Sequence, residues 1–354
     1  MNRLFTLDYL RGIAAFGIMI YHYLSWSVGK FGAENIIGRI GIYGVSIFYV
    51  LSGLTLYHVY FSKMQFNKND ILLFFRKRIL RIFPLLWLVS ITTVLLSSVT
   101  VDFNKLFLNL SGLFGLVAWD NYLAVGAWSI GNELVFYLFF PFFLFFIRKS
   151  KWFIILISIV FFVIYLYFSF NVLSDNNTLN AQWRDYINPL NQVFLFLCGL
   201  IIGHLFKIKE FKPLYSYLII LLGLAIFILC PVSGNAIHLV TGYNRLFFTL
   251  SCLLICLGSY KLSIKPPLKI HKALSILGEA SYSVYLLHPI VYLLVSRFFS
   301  LIKFDFHIPS TAVTLIFSVL FTLCLSVLVY EYFEKYFMKL GGKKYKTTVR
   351  QTQS

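Results

Sequence analysis

Arg11 and His22 stand in an otherwise almost wholly apolar run, Leu4 to Leu24. Holding a guanidinium in hydrocarbon costs about 3 kcal/mol even on lenient insertion scales, so such residues are paired, snorkel to the surface, or serve a function. Eleven residues make about three helical turns, which puts both side chains on nearly one face, roughly 16 Å apart along the axis. The pair offers a fixed cation for an anion or a polarised carbonyl, and a base that titrates near neutrality. The bland alternative is a snorkelling Arg and a satisfied core His.

Other segments carry groups of the same kind. Trp128-Ser-Ile-Gly-Asn-Glu133-Leu-Val-Phe-Tyr137 contains a carboxylate inside an apolar run. Glu133 either orients and charge-stabilises a His at its own depth or neutralises an Arg for structural reasons. Gly278-Glu-Ala-Ser-Tyr282-Ser-Val-Tyr285-Leu-Leu-His288-Pro289 places Tyr285 and His288 on one helix face at i, i+3. His288 is expected near mid-membrane, and either the Pro kink or a site explains it. In Phe75-Arg76-Lys-Arg78-Ile-Leu-Arg81-Ile-Phe-Pro84 four cations precede a Pro-bent helix start. This is either ordinary membrane-surface charge or a phosphate site in which guanidinium forks and free helix N–H groups meet the anion. Gly41 to Gly53 spaces Gly and Ser, Ser52 among them, for close helix approach. Glu331 and Glu334 are expected to pair with Lys335 and Lys339 at the surface.

The elements that must hold these groups are membrane helices. The chain of 354 residues is 59% hydrophobic and only 12% charged, which excludes a soluble domain of this size. Ten spans are expected at about 4–24, 41–61, 81–101, 128–147, 152–170, 189–206, 213–231, 243–261, 279–299 and 309–333. The apolar stretch 106–118 is too short for a span; it is re-entrant or interfacial, or raises the count to eleven. The first run is too long for a signal h-region and is read as a retained helix. With both termini in the cytoplasm, 23 of the 31 Lys and Arg fall inside and 7 outside, Arg11 being the remainder. That placement explains the net charge of +18 and argues against nucleic acid. Residues 1–340 are expected to form one membrane domain. Residues 341–354 are read as a disordered basic tail near anionic lipid. The five Cys lie in or beside apolar runs, and none has metal-ligand spacing with His.

Taken together, these segments resemble the membrane acyltransferase-3 family, integral-membrane O-acyltransferases of bacterial surface carbohydrates. The likeness rests on Arg11-x10-His22, Phe48 to Gly53, Arg81-x-x-Pro84, the Trp128–Ser129–Glu133–Tyr137 segment, and Ser281 to His288. Where family members often have Asp, this chain has Ser46, and a second carboxylate beside Glu133 is replaced by Asn132 and Leu134. The resemblance implies an all-α polytopic protein of the bacterial inner membrane. It also implies acetyl-CoA as a cytoplasmic donor substrate, no permanently bound cofactor or metal, and a lipid-linked or polymeric glycan as acceptor. In that picture Arg76, Arg78 and Arg81 hold donor phosphates, and Arg11 grips the pantetheine or stabilises the oxyanion. His22 is the general base, oriented by Glu133, or carries the acyl group covalently. Ser52, Trp128, Tyr137, Tyr282, Tyr285 and His288 line the site. The competing class is a transporter or flippase, which also places Arg, His and Glu along a membrane pathway. It should show an internal repeat, and none is visible in the sequence.

Overall fold

A computed structural model describes residues 4–97, 100–264, 266–301 and 310–342. Among these the chain is helical, without strands. In order, the helices are α1 (Phe5–Ser27), α2 (Ile36–Tyr60), α3 (Lys68–Leu96), α4 (Phe103–Ser111), α5 (Phe114–Val117), α6 (Ala127–Lys149), α7 (Lys151–Tyr167), α8 (Trp183–Tyr186), α9 (Pro189–Phe206), α10 (Pro213–Leu229), α11 (Ile237–Val240), α12 (Gly242–Lys261), α13 (Leu268–Glu279), α14 (Ser281–Leu301), α15 (Ser310–Val329) and α16 (Lys335–Gly342). π-helical turns continue α7 over Phe168–Val172 and join α15 to α16 over Tyr330–Glu334. The basic tail expected from 341 falls, from residue 343 on, outside the described residues.

Among the described residues, eight helices are long and apolar enough to cross a membrane, and each coincides with an expected span. The other two expected spans fall on α1, which has 23 residues but carries Asp8, Arg11 and His22, and on α10, which is apolar but 17 residues long. The 106–118 stretch forms two pieces, α4 and α5, broken where Gly112 turns left-handed at φ 75°. Nine residues rise about 14 Å, so neither piece crosses alone.

Local chemistry fixes where the helices start and stop. Asn35, Asn67 and Asn188 each accept a backbone N–H in the first turn of α2, α3 and α9, from Ile37, Asp70 and Leu190. The Asn67 cap starts α3 thirteen residues before the expected position 81. Arg76, Arg78 and Arg81 therefore ride in the body of a helix, with no free N-terminal N–H groups beside them. At the far end of α10, the buried Arg39 donates to the carbonyls of Phe227, Ile228 and Cys230 at 2.7–2.9 Å and to Ala33 O. It closes off the last turn of that helix.

Two glycine contacts set the spacing around α1 and α2. A Cβ at Gly53 would lie 2.0 Å from Phe196 O on α9, and one at Gly199 2.1 Å from Val50 O, so α2 and α9 touch backbone to backbone. A Cβ at Gly278 would lie 2.2 Å from Asp8 O, and one at Gly12 2.8 Å from Gly278 N. This contact lays α13 against the first turns of α1, one residue from Arg11.

Candidate functional site

Most of the singled-out residues converge on a cavity of about 210 Å³ enclosed by α1, α2, α3, α6 and α14. Its wall includes Arg11, Ser52, Arg78, Arg81, Glu133, Tyr137, Tyr282 and Tyr285, with Thr55 and Ser129 beside them. α2 brings Ser52 and Thr55 in at i, i+3, α3 brings Arg78 and Arg81 at the same spacing, and α6 brings Ser129, Glu133 and Tyr137 at i, i+4, i+8. Each helix thus turns one polar stripe inward and leaves its apolar faces for packing and lipid.

Arg11 is positioned by three donations. One goes to Thr55 Oγ1 at 2.6 Å, one to the Leu51 carbonyl at 3.3 Å, and one to Asp8 Oδ1, one turn earlier, at 3.5 Å. Ser52 and Tyr137 share a hydroxyl bond of 2.7 Å, and the Arg78 guanidinium lies 5.8 Å from the Tyr137 ring centre. Arg78 Nε is buried without a hydrogen-bond partner. Tyr282 donates to Ile82 O on α3 at 2.8 Å. Three guanidinium groups and one carboxylate thus face a shared space, an arrangement that suits a polyanionic or carbonyl ligand.

A second cavity, of about 420 Å³, shares Arg11, Thr55, Val59 and Arg81 with the first. It extends toward the N-terminal end of α1, past Asp8, His58, Lys63, Glu279 and Glu334. Glu334 was expected at the surface. It is buried at 4% exposure, and Ser283 donates to its carboxylate, because the π-helical turn before α16 rolls it inward. Glu331 does form the expected surface pair with Lys335, at 2.5 Å.

His22 lies outside this cavity, and so does His288. The two imidazoles are joined to each other, His22 Nδ1 to His288 Nε2 at 2.8 Å, with their planes 10° apart. Trp26, one turn beyond His22 on α1, stacks over it at 5.2 Å and 5°. Tyr23 donates to His288 O at 2.9 Å and ties α1 to α14. Between the imidazoles and the cavity stands Tyr285, one turn before His288, or about 4.5 Å along the axis. Its ring packs edge-on against His288 at 6.1 Å and against Phe48 at 6.0 Å, and its hydroxyl is bonded to Ser129 Oγ at 2.8 Å.

The expected partnership of His22 with Glu133 is therefore corrected: His288 is the partner of His22, and Glu133 faces the cavity of Arg11. The reason lies at the start of α6. The expectation sets Glu133 near the membrane surface, level with His22. α4 and α5 fold over the start of α6, with Gly115 packed on Gly131, so Ala127, Trp128, Ser129 and Ile130 are buried there, and the face of α6 that carries Glu133 turns into the cavity of Arg11. His288, expected near mid-membrane, is correspondingly level with His22. Two further expectations are not met. Arg76 donates to Leu340 O at 2.9 Å, at the end of α16 rather than in the cavity. Trp128 packs on Trp183 and Tyr186, holding the loop side of α6. Asn132, in place of a second carboxylate, donates to Tyr49 Oη and Ile187 O, both at 3.1 Å.

The sequence reading missed Thr55, which holds Arg11, and Trp26, which covers His22. The i, i+4 spacing of Trp26 from His22 was a usable signal. Thr55 gave none, since its contact crosses between helices. Among the described residues, no group of three or more His, Cys, Asp or Glu is arranged to hold a metal.

Fold and site together define a multi-pass helical membrane protein with a buried cationic cavity and a separate imidazole pair. The family model described as an acyltransferase domain (acyltransferase-3) matches residues 4–331, nearly the whole chain, and the protein belongs to that family. It is a membrane acyltransferase. No curated protein and no solved structure matches it.

Proposed function

We propose that the protein is an O-acetyltransferase of the bacterial inner membrane. It would move an acetyl group from cytoplasmic acetyl-CoA to a hydroxyl of a cell-surface polysaccharide such as O-antigen, capsule or exopolysaccharide. The observation that carries this reading is the cavity in which Arg11, Arg78 and Arg81 face one carboxylate, Glu133, and which shares Arg11, Thr55, Val59 and Arg81 with the second cavity at the N-terminal end of α1. A donor carrying phosphates on a long arm fits such a series: Arg11 and Arg81, which line both cavities, and Arg78, in the first, offer guanidinium groups to its anionic oxygens and its carbonyl. The positive-inside count puts the N-terminal end of α1, and with it the second cavity, on the cytoplasmic side.

In this mechanism the thioester end passes the Phe48–Tyr285 partition to reach His22. The imidazole takes the proton of the acceptor hydroxyl as its oxygen bonds to the acyl carbon. The C–S bond then breaks, and the thiolate leaves and recovers the proton. No permanently bound cofactor enters the scheme, and acyl-CoA and glycan are its two substrates. The test is reconstitution with radiolabelled acetyl-CoA and a lipid-linked or polymeric glycan. Label should appear on the glycan with wild type and fall at least about 100-fold with His22→Ala. Undiminished labelling by His22→Ala sinks the assignment of the base. Passage of unlabelled glycan across the bilayer, with no transfer, favours a transporter.

A further inference from the structure

His288 is 1% exposed, and two hydrogen bonds of its imidazole together fix the protonation of His22. His288 Nδ1 lies 3.1 Å from the Val284 carbonyl on its own helix. A carbonyl oxygen only accepts, so Nδ1 carries the hydrogen. In a neutral imidazole the other nitrogen then presents a lone pair. That nitrogen, Nε2, faces His22 Nδ1 at 2.8 Å, so His22 Nδ1 is the donor. The hydrogen of His22 is committed to Nδ1, and its lone pair lies on Nε2. The planes are nearly parallel at 10°, which suits an in-plane bond, and Trp26 stacked over His22 opposes rotation of the ring.

From this geometry we infer that His288 is the positioning residue of the transfer reaction: through the Val284–His288–His22 chain it holds His22 in the tautomer whose Nε2 accepts the hydroxyl proton. The inference rests on the proposed role of His22 as base. His288 touches neither donor nor acceptor. When Nε2 takes the proton, the Nδ1–H of His22 stays bonded to His288 Nε2, and the imidazolium is stabilised by a neutral acceptor rather than a carboxylate. The proton then passes from His22 Nε2 to the departing thiolate, and the chain returns to its starting state.

Three substitutions and one spectrum test the inference. His288→Leu removes the acceptor and is expected to lower kcat by about 100-fold with the KM for acetyl-CoA unchanged. His288→Gln sets an amide oxygen where Nε2 stood and is expected to keep kcat within about tenfold of wild type. In a His22→Ala background, His288→Leu should cost nothing further, because its effect acts through His22. Nitrogen-15 spectra of histidine-labelled wild-type protein should show His22 protonated at Nδ1 and bare at Nε2, which requires no variant to fold. Equal losses in His288→Leu and His288→Gln, additive losses in the double variant, or His22 protonated at Nε2 overturn the inference. Full transfer by His22→Ala overturns the base itself, whereas loss in His22→Ala with full transfer in His288→Leu overturns only the part played by His288.

Discussion

Gly199→Ala is the sharpest structural perturbation. Its new Cβ would sit 2.1 Å from Val50 O and 2.7 Å from Leu54 N, against ordinary contact at 3.4 Å and beyond. Both obstacles are backbone atoms of α2, so no side chain can rotate away, and α2 and α9 must part by about 1.3 Å. A gap of that size forfeits more than half the dispersion energy along the seam. Overpacking costs about 1–3 kcal/mol, here at the upper end, and the better helix propensity of Ala returns at most about 1, for a net loss of about 2 kcal/mol. If α2 gives way rather than α9, the bonds from Arg11 to Thr55 (2.6 Å) and from Ser52 to Tyr137 (2.7 Å) stretch as well. Thermal unfolding in detergent should show an apparent Tm lowered by about 3 °C. Gly342→Ala is the control, because nothing lies within 4 Å of its Cβ. It should melt within about 1 °C of wild type. Identical melting of Gly199→Ala and wild type, or an equal drop in Gly342→Ala, refutes the packing argument.

Three other outcomes follow from the same geometry. Arg78→Gln and Arg81→Gln should each raise the KM for acyl-CoA about tenfold while kcat stays within about twofold, measured by steady-state transfer; a fall in kcat alone would place these residues away from the donor. Arg39→Met leaves the carbonyls of Phe227, Ile228 and Cys230 without their donor and should destabilise the protein by about 3 kcal/mol or more, with Arg39→Lys recovering only part because an ammonium cannot reach all of them at once; equal melting of Lys and Arg forms would contradict this. Glu34, in the loop before α2, is held below the usual carboxylate range by its own backbone N–H and by that of Gly234, the latter at 3.0 Å. The ionised form makes this tie, so it is intact above the ordinary carboxylate pKa and is lost as pH falls through the lowered one. The protection factor of the Gly234 amide, its exchange divided into the intrinsic rate at each pH, should therefore fall only in acid, and a pH-independent protection factor would count against the contact.

What the sequence made legible was whatever one helix decides for itself. The apolar runs located the long helices, and the i, i+3 spacing of Tyr285 with His288 foretold that these two side chains share a face. Which side chain meets which is decided between helices, and there one sequence does not suffice. Glu133 faces the cavity of Arg11 while His22 meets His288, and neither pairing leaves a periodic trace. The basic cluster lost its helix N-terminus to a cap at Asn67, a signal present in the sequence but masked by the charges that follow it. His22 and His288 stand 266 residues apart in the chain, and only the crossing of α1 and α14 brings their ring nitrogens together.

The partition formed by Phe48 and Tyr285 bears on the electrical state of the membrane. An elementary charge crossing a potential of 100 mV dissipates about 2.3 kcal/mol, and a water-filled passage from the arginine cavity to the imidazoles would let protons do so continuously. Two abutting aromatic rings, one latched to Ser129, interrupt such a file of water. In the proposed transfer the group that passes them is the small, uncharged acyl thioester end, while the donor phosphates stay on the arginine side. The proposed chemistry would then run across an energised membrane without short-circuiting it.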